Sequence, residues 1–182
     1  YHRHKLFTPV IWVHRMDEVH ILDSPLGHIR ITYNNKGIKG VKFTEDMDPS
    51  STVNNPNNED LQLAIKWFDA YFKDPNVTKS MQFPNLDMGT HNGKEFMPKV
   101  WKVLKDQVGP GQTVSYGELA KLCGNPKAAR AVGQAMRSNP FTIFVPCHRV
   151  ISGTGKMGNY SSGVDKKEWL LKHEGRDFPN TA

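Results

Sequence analysis

One of the two cysteines in this chain stands in a setting that could make it a nucleophile. Cys147 lies between a proline and His148, after the near-apolar run Thr142-Ile143-Phe144-Val145. Such a run predicts a buried strand or extended segment, and the proline would end it so that the thiol emerges at the break. A thiolate is a strong nucleophile, and a neighbouring histidine lowers the pKa of a thiol. A bare Cys-His pair is more often a buried structural cysteine beside a surface histidine, so the surrounding sequence has to decide between the two.

Basic residues are concentrated in the half of the chain that holds Cys147. The 182 residues have a formal net charge of +6. Residues 1–98 contain 11 Lys and Arg against 12 Asp and Glu, a net charge of −1, whereas residues 99–182 contain 13 against 6, a net charge of +7. A basic lobe is typical of proteins that bind a polyanion, although ordinary solubility charge could produce the same bias.

The composition excludes several classes of protein. Cys123 and Cys147 form neither a disulfide framework nor a metal-ligand spacing, so we expect no metal and no cofactor. This use of cysteine fits a reducing intracellular compartment. No apolar run approaches the ~18 residues that cross a membrane, so we expect no membrane partner.

The first half of the chain predicts a small antiparallel sheet followed by a helix. Apolar and polar residues alternate over residues 18–43, interrupted by turn sequences at residues 24–27 and 34–37, which indicates three short strands. The next helix has a broad apolar and aromatic face, formed by Leu61, Ala64, Ile65, Trp67, Phe68, Tyr71 and Phe72. Residues 76–93 are irregular, so we expect them to link an N-terminal lobe, residues 1–94, to a C-terminal domain, residues 95–182.

The second half predicts short helices arranged as a helix-turn-helix. One helix begins at about Pro98, and Ser115 with Glu118 forms a capping box that opens the next. Asn125 is predicted to cap a further helix that has Pro126 at its first position and runs to about Arg137. Two short helices joined by a tight turn are typical of the helix-turn-helix.

Two features of the predicted helices of the second half indicate a specific interaction. The helix that ends at Arg137 has small residues on one side, namely Ala128, Ala129, Ala131, Gly133 and Ala135. Small side chains allow close approach, either to another helix or to nucleic acid.

Glu174 stands at the C-terminus of the last predicted helix, where a negative charge is unfavourable unless a partner compensates it.

Several segments of the second half together resemble the O6-alkylguanine-DNA alkyltransferase family. They occur in the family's order and at similar spacing, which makes the resemblance specific over about residues 95–175, while residues 1–94 are similar only loosely. The matching segments are residues 113–120, 124–133, 139–140, 145–150, 158–161, 167–171 and 173–175.

The resemblance implies direct reversal of DNA damage. A member of the family flips an alkylated guanine out of double-stranded DNA and transfers the O6-alkyl group to its own cysteine, here Cys147. The thioether is stable, so one molecule repairs one lesion. The implied fold is α+β, with an N-terminal small antiparallel sheet and helix. The C-terminal helical lobe would carry the helix-turn-helix and an active-site turn formed by Pro146-Cys147-His148-Arg149-Val150.

The same resemblance assigns catalytic roles. His148, acting through a water and supported by Glu174, would take the proton from Cys147. Asn139 would brace the helix-turn-helix against the active-site turn. Tyr116 would crowd the 3′ phosphate to drive base rotation and would also hydrogen-bond the guanine.

Further roles concern DNA and the substrate pocket. Arg130 would fill the place that the flipped base leaves in the stack, and Ala128, Ala129 and Gly133 would face the minor groove. The substrate pocket would be formed by Tyr116, Thr142, Val150, Tyr160 and Ser161. The implied partner is double-stranded DNA containing O6-alkylguanine, with O4-alkylthymine as a further candidate. We expect a monomer that acts in the nucleus of a eukaryote or the cytoplasm of a prokaryote.

One departure from the family concerns large adducts. Thr142 stands where many relatives have a proline that packs against a benzyl group, and Phe141 and Phe144 beside it are bulkier than usual. We therefore expect O6-benzylguanine to react more slowly than with a proline at this position, and Thr142→Pro to restore that rate without changing methyl repair.

Two alternatives of other classes remain at this stage. A non-catalytic lesion-binding protein of the alkyltransferase-like kind would lack the acceptor cysteine, which this chain has. A Cys-His hydrolase would need an oxyanion hole, and nothing in the sequence marks one.

Overall fold

Alternating side chains build an antiparallel sheet at the start of the structure, a computed structural model that describes residues 17–45, 52–53, 55–89 and 95–178. Its strands, in the order β1-β2-β3, are Glu18–Ser24 (β1), Gly27–Asn34 (β2) and Gly37–Thr44 (β3). Ile29, Ile31 and Tyr33 are buried on one face of β2, as the period of two predicts. Gly27 and Gly37 adopt positive φ in the two predicted turns, which are thereby confirmed.

The predicted aromatic helix is α1, Glu59–Lys73, and it covers the sheet. Asn58 caps it by accepting a hydrogen bond from the Leu61 amide at 2.9 Å. Trp67, Phe68 and Tyr71 are buried, so the aromatic face belongs to the core.

The segment predicted as irregular is more ordered than expected. A 3-10 helix spans Pro75–Ser80. Farther along, the Ile38 amide donates to the Asn85 carbonyl at 2.8 Å, and the Asp87 amide donates to the Ile38 carbonyl at 2.7 Å. Residues 85–87 thus extend the β3 edge. Residues 90–94, where the predicted lobe boundary falls, lie outside the described residues, so that boundary stays a prediction.

The C-terminal half is mainly helical, and the α+β class is confirmed. Its helices are Phe96–Gln107 (α2), Tyr116–Leu122 (α3), Ala129–Arg137 (α4) and Val164–His173 (α5), and its two short parallel strands are Val114–Ser115 (β4) and Val150–Ile151 (β5). Ser115 and Glu118 form the predicted capping box with both hydrogen bonds present. Among the described residues, no helix has both the length and the apolar character that a membrane span requires.

The predicted start of α4 is wrong by three residues. Asn125 does not cap a helix, since the Ala128 amide donates to its carbonyl and closes a turn over residues 125–128. Pro126 therefore stands in this turn, and α4 begins at Ala129 without a side-chain cap. The end at Arg137 is as predicted. Helices α3 and α4 pack together across the turn, while their role as a DNA-binding motif stays a prediction.

The two halves of the molecule share hydrogen bonds and a core. The Val41 amide of β3 donates to the Pro140 carbonyl at 2.8 Å, and the Thr142 amide donates to the Val41 carbonyl at 3.0 Å. Phe144 stacks on Phe68 of α1 with ring centroids 4.6 Å apart. The segment that leads to Cys147 is therefore fixed directly by the N-terminal lobe.

We expect Ser115→Ala to lower the free energy of unfolding by about 1 kcal/mol, because it removes half of the capping box that starts α3. Urea denaturation measures the change. Ser138→Ala is the matched control, since the Ser138 hydroxyl makes only a long, exposed contact of 3.5 Å with Gln134. Equal small effects of the two substitutions would show that the box does not stabilise the helix.

Candidate active site

The segment before Cys147 is a tight reversal and not the strand or extended segment that its apolar residues predicted. The Val145 amide donates to the Phe141 carbonyl at 2.8 Å, and Thr142 pairs with Val145. Ile143, between them, has a φ of 70° although it is β-branched and buried. Such a conformation is strained and persists only when its surroundings impose it. The surrounding core thus holds this segment in one shape.

Asn139 connects the end of α4 to the thiol. Its side-chain amide donates to the Val145 carbonyl at 2.9 Å and to Cys147 Sγ at 3.2 Å. Its side-chain oxygen accepts from the Phe141 amide at 2.9 Å. One side chain therefore fixes both ends of the reversal and the direction of the sulfur.

The thiol is buried at the start of a single 3-10 turn, Cys147–Arg149, with 7% of the residue exposed. Burial raises the pKa of Cys147, and the Asn139 hydrogen bond, the Lys167 ammonium and the Tyr160 hydroxyl act in the opposite direction. The net pKa is above the ordinary value, so forming the thiolate requires a base.

A buried carboxylate lies behind this turn. Glu174 Oε1 is 2.8 Å from His148 Nε2 and 2.8 Å from Arg149 Nη2, while Arg149 Nε donates to Oε2 at 2.9 Å. The Tyr71 hydroxyl of α1 donates to Oε1 at 2.6 Å. The sequence predicted a partner for Glu174 and named His148. It missed Arg149 and Tyr71, for which the only signal was the need of a buried carboxylate for several donors.

This arrangement fixes the protonation of His148. Burial would raise the pKa of Glu174, but the contacts with His148 and Arg149 outweigh it and hold that pKa well below the ordinary value. Burial, together with the charges of Arg149 and Lys167, lowers the pKa of His148 by more than Glu174 raises it. An ionised carboxylate only accepts hydrogen bonds, so the neutral imidazole donates from Nε2 and leaves Nδ1 unprotonated. Among the described residues, Nδ1 has no hydrogen-bond partner, which leaves it available as a base.

Lys167 is a functional candidate that the sequence reasoning missed. It is buried on α5 and donates from Nζ to the Val150 carbonyl at 2.7 Å and to the Asn159 carbonyl at 3.3 Å. Burial lowers its pKa to about 8, and the nearby Cys147 opposes that shift. Lys167 therefore holds the loop after β5 and places a positive charge near the sulfur.

The small residues of α4 divide into two sets. Ala135 is buried, and its carbonyl accepts a hydrogen bond from Trp101 at 2.8 Å, which is the helix-packing use. Ala128, Ala129 and Gly133 are only half-buried, and a side chain added at Gly133 would lie about 4.0 Å from the Tyr116 ring. Arg130 is exposed on this helix. The helix-packing interpretation is confirmed for Ala135, and the nucleic-acid interpretation stays a prediction for the accessible set.

Tyr116 stands at the first position of α3, half-buried. Burial raises the pKa of its hydroxyl, the nearby Cys147 adds to the rise, and Arg137 opposes it. The structure thus brings Tyr116 near the thiol and keeps its hydroxyl protonated, so that it can donate a hydrogen bond.

A groove of about 770 Å³ is lined by residues from both halves of the chain. Asn139, Thr142 and Ser161 are among its lining residues. Thr142 is 7% exposed, and Ser161 is exposed on a glycine-rich loop formed by residues 153–163. Of the other predicted pocket residues, Val150 is buried in β5. The Tyr160 hydroxyl lies close to Cys147, and burial, together with Cys147, raises the pKa of this hydroxyl well above the ordinary value.

The bulky neighbours of Thr142 do not face this groove. Phe141 packs edge-on against Trp101, with ring centroids 6.4 Å apart, and Phe144 packs in the aromatic core. Moreover, the Thr142 amide is bonded to Val41, so Thr142→Pro would remove that hydrogen bond. The effect of this substitution on methyl repair stays a prediction, and the lost hydrogen bond is a structural cost that the sequence did not reveal.

Among the described residues, no three His, Cys, Asp or Glu side chains are grouped to hold a metal ion. Cys123, at the end of α3, is 2% exposed, and burial raises its pKa. These features leave Cys147 as the candidate nucleophile.

Comparisons with known proteins give the site its context. Residues 95–176 match the family model described as 6-O-methylguanine DNA methyltransferase, DNA binding domain, and residues 19–84 match the ribonuclease-like domain of the same proteins. The chain is 44% identical to the methylated-DNA–protein-cysteine methyltransferase of Rattus norvegicus, covering 85% of this chain and 80% of the rat protein. Identity to the protein of that name from Methanosarcina acetivorans is 43%, covering 85% and 96%.

The fold comparison agrees with the sequence comparison. The crystal structure of Mycobacterium tuberculosis OGT in complex with DNA superposes with a TM-score of 0.69 at 35% identity. The match covers 87% of this chain and 93% of that one.

We expect Glu174→Gln to lower the free energy of unfolding at neutral pH by about 3 kcal/mol or more, because Arg149 would stay buried without a full charge partner. The folded pKa of Glu174 lies below its ordinary value of 4.5. Its contribution is therefore complete above about pH 4.5 and is lost as the pH falls further. Urea denaturation over a pH series should show this acid-dependent loss in the wild type and much less of it in the variant. Glu168→Gln, on the exposed side of α5, is the control, and the account fails if the two variants behave alike.

We expect Lys167→Gln to raise the pKa of the Cys147 thiol, since it removes a nearby positive charge and keeps a hydrogen-bond donor. Thiolate absorbance during a pH titration, with Cys123→Ala as background, measures that pKa. Lys172→Gln removes an exposed charge from the same helix and should leave the pKa unchanged. An unchanged pKa in a folded Lys167→Gln protein would contradict the proposed electrostatic contact.

Proposed function

Because the chain belongs to the O6-alkylguanine-DNA alkyltransferase family, we propose that Cys147 is the residue that accepts the alkyl group from guanine in DNA. The enzyme class follows from the two family models and the curated relatives: a methylated-DNA–protein-cysteine methyltransferase that repairs DNA by direct reversal. One observation supports the acceptor assignment above the others. Cys147 Sγ is held by Asn139 at 3.2 Å, next to a buried histidine whose Nδ1 is free to take a proton.

The proposed reaction is an in-line displacement at a saturated carbon. His148 Nδ1 removes the thiol proton, directly or through a bridging water, while Glu174 stabilises the positive charge that develops on the imidazole. Sγ then forms a bond to the alkyl carbon, the bond from that carbon to O6 breaks, and the electron pair stays with guanine. Guanine takes up a proton to become the normal base. The thioether that remains on Cys147 is stable, which limits each molecule to one turnover.

Tyr116 supports this step in the proposal. Its protonated hydroxyl would donate a hydrogen bond to the guanine and lower the cost of the leaving group's negative charge. The Ser161 backbone, at the groove, would bind the same base. Val150, Tyr160 and Thr142 would form the walls around the base and its alkyl group.

DNA binding is proposed to involve α4. The accessible face of α4 carries the small residues Ala128, Ala129, Ala131 and Gly133. The backbone of this helix could therefore approach a minor groove closely. Minor-groove contacts discriminate poorly between sequences, which suits a protein that must find a lesion anywhere. Arg130, exposed on the same helix, would occupy the place of the flipped base. Extraction of a base costs a few kcal/mol, which such a contact would offset.

We further propose that the protein acts as a monomer on O6-alkylguanine in double-stranded DNA, in the nucleus of a eukaryote or the cytoplasm of a prokaryote. The +7 charge of residues 99–182 supports a DNA partner. The catalytic function is favoured over a non-catalytic lesion-binding one because Cys147 is present.

Incubation with a duplex that contains O6-methylguanine tests the acceptor. Mass spectrometry of the wild type should find one methyl group per molecule, on Cys147. Cys147→Ala should bind the duplex and accept none, while Cys123→Ala should accept one, since Cys123 is buried in the core. A methyl group on Cys123, or catalytic turnover, would contradict the assignment.

Arg130→Ala tests the flipping step. We expect it to slow transfer from duplex DNA by about tenfold or more, because extrusion of the base would lose its compensation. Reaction with the free O6-alkylguanine base needs no extrusion and should change little. Rate constants on both substrates measure the split, and Arg176→Ala, an exposed arginine after α5, is the control. Equal losses on the two substrates would argue against the stacking role.

A further inference from the structure

The groove beside the thiol has features that the methyl reaction does not use. It is lined by both lobes, with the end of β3 on one side and the α4 terminus and the glycine-rich loop on the other. At about 770 Å³ it is far larger than a methyl group. The flipped base proposed above would contact Ser161 and Thr142 in this groove, so its charged lining residues, and not its volume alone, indicate a further role.

One lining residue connects the groove to the reacting sulfur. Asn139 both lines it and donates to Cys147 Sγ at 3.2 Å. Thr142, whose amide is fixed by Val41, lines the same wall. A substituent longer than methyl, attached to the carbon that Sγ attacks, can therefore extend from the thiol into this groove.

The charges of the groove are predominantly positive. Lys42, Lys166 and Arg137 line it, and among the described residues Glu45 is the single carboxylate that does so. Lys166 is positioned by Phe43, with Nζ 5.4 Å from the centre of the ring. None of the three cations forms an ion pair within the part of the chain that the structure describes. They are therefore available to an anion.

The remaining basic group of the groove is less available. His28 Nδ1 lies 2.7 Å from an Asp23 carboxylate oxygen, so any positive charge on it is already compensated. Lys42, Lys166 and Arg137 are therefore the groups that an anion in the groove would contact.

From this arrangement we propose that the groove accepts O6-alkyl groups that end in a carboxylate, and that the enzyme transfers them faster than neutral groups of the same length. The proposal rests on the proposed function, since the reaction is the same. Sγ bonds to the first carbon of the chain, the bond to O6 breaks, and guanine leaves with the electron pair and takes up a proton. The carboxylate at the far end does not react and contributes only its attraction to Lys42 and Lys166.

A DNA strand could use the same cations through its phosphates. The adduct is favoured because Asn139, which lines the groove, also contacts Sγ, so a substituent on the reacting carbon would lie close to the groove. The two occupants predict different results for methylated DNA, because a phosphate contact would matter for every lesion and a carboxylate contact only for charged ones.

The test compares three duplexes that carry O6-methylguanine, O6-(3-carboxypropyl)guanine or the matching carboxamide. Single-turnover rate constants are measured for the wild type and for the double variant Lys42→Gln/Lys166→Gln. Lys36→Gln/Lys172→Gln is the control, since it removes the same charge at two exposed sites away from the groove.

In the wild type and the control, the carboxylate should react about threefold to tenfold faster than the carboxamide, as expected for two partly exposed ion pairs. In the double variant, where Arg137 remains, the ratio should fall clearly towards one while the methyl rate is unchanged. The preference should also decrease at high salt.

Three results would overturn the proposal. A carboxylate-to-carboxamide ratio near one in the wild type, with normal methyl transfer, contradicts this proposal alone. Equal slowing of all three duplexes in the double variant, but not in the control, identifies the groove as a contact for the DNA backbone instead. Absence of methyl transfer in the wild type contradicts the proposed function, and this proposal with it.

Discussion

Glu174 is a carboxylate whose side chain has no exposure to solvent, and the rest of the site depends on how its charge is compensated. An ionised group in the interior is very costly unless donors surround it. Here those donors come from α1 through Tyr71 and from the turn after the nucleophile through His148 and Arg149. Compensating this one charge therefore requires both lobes and the active-site turn to lie in one arrangement. The N-terminal lobe thereby contributes directly to the site, since Tyr71 makes one of the four hydrogen bonds to the Glu174 carboxylate.

The same arrangement reconciles a buried nucleophile with its activation. Burial removes competing water but raises the pKa of Cys147, so the thiol needs a base, a hydrogen bond and a favourable charge near it. His148, Asn139 and Lys167 supply these from three separate elements. The strained backbone at Ile143 is held by the core around it, which keeps the sulfur in place while a substrate enters. Reactivity is thus distributed over the fold and does not reside in the Cys-His pair alone.

Local signals in the sequence predicted local structure well and distant contacts poorly. The capping box at Ser115 and the sheet turns depend on neighbouring residues, so their patterns were sufficient. The unfavourable position of Glu174 indicated a partner, but Tyr71 is 103 residues away in the chain, and no local pattern could pair the two.

The run after Pro140 was misread because periodicity cannot distinguish a buried strand from a buried reversal. Pro126 was placed in a helix because proline suits a first helical turn and a tight turn equally. Lys167 was missed because lysine is seldom fully buried, and only the fold reveals the carbonyl groups that it binds.

The central claim is that burial keeps His148 neutral and that the Glu174 carboxylate holds its proton at Nε2, which leaves Nδ1 free to take the proton of Cys147. Nitrogen-15 NMR of the imidazole groups, in the full chain, reports this state directly. We predict for His148 a protonated Nε2, an unprotonated Nδ1, and no change of charge near neutral pH. A doubly protonated His148 imidazole at neutral pH, or a neutral ring with its proton on Nδ1, would contradict the account.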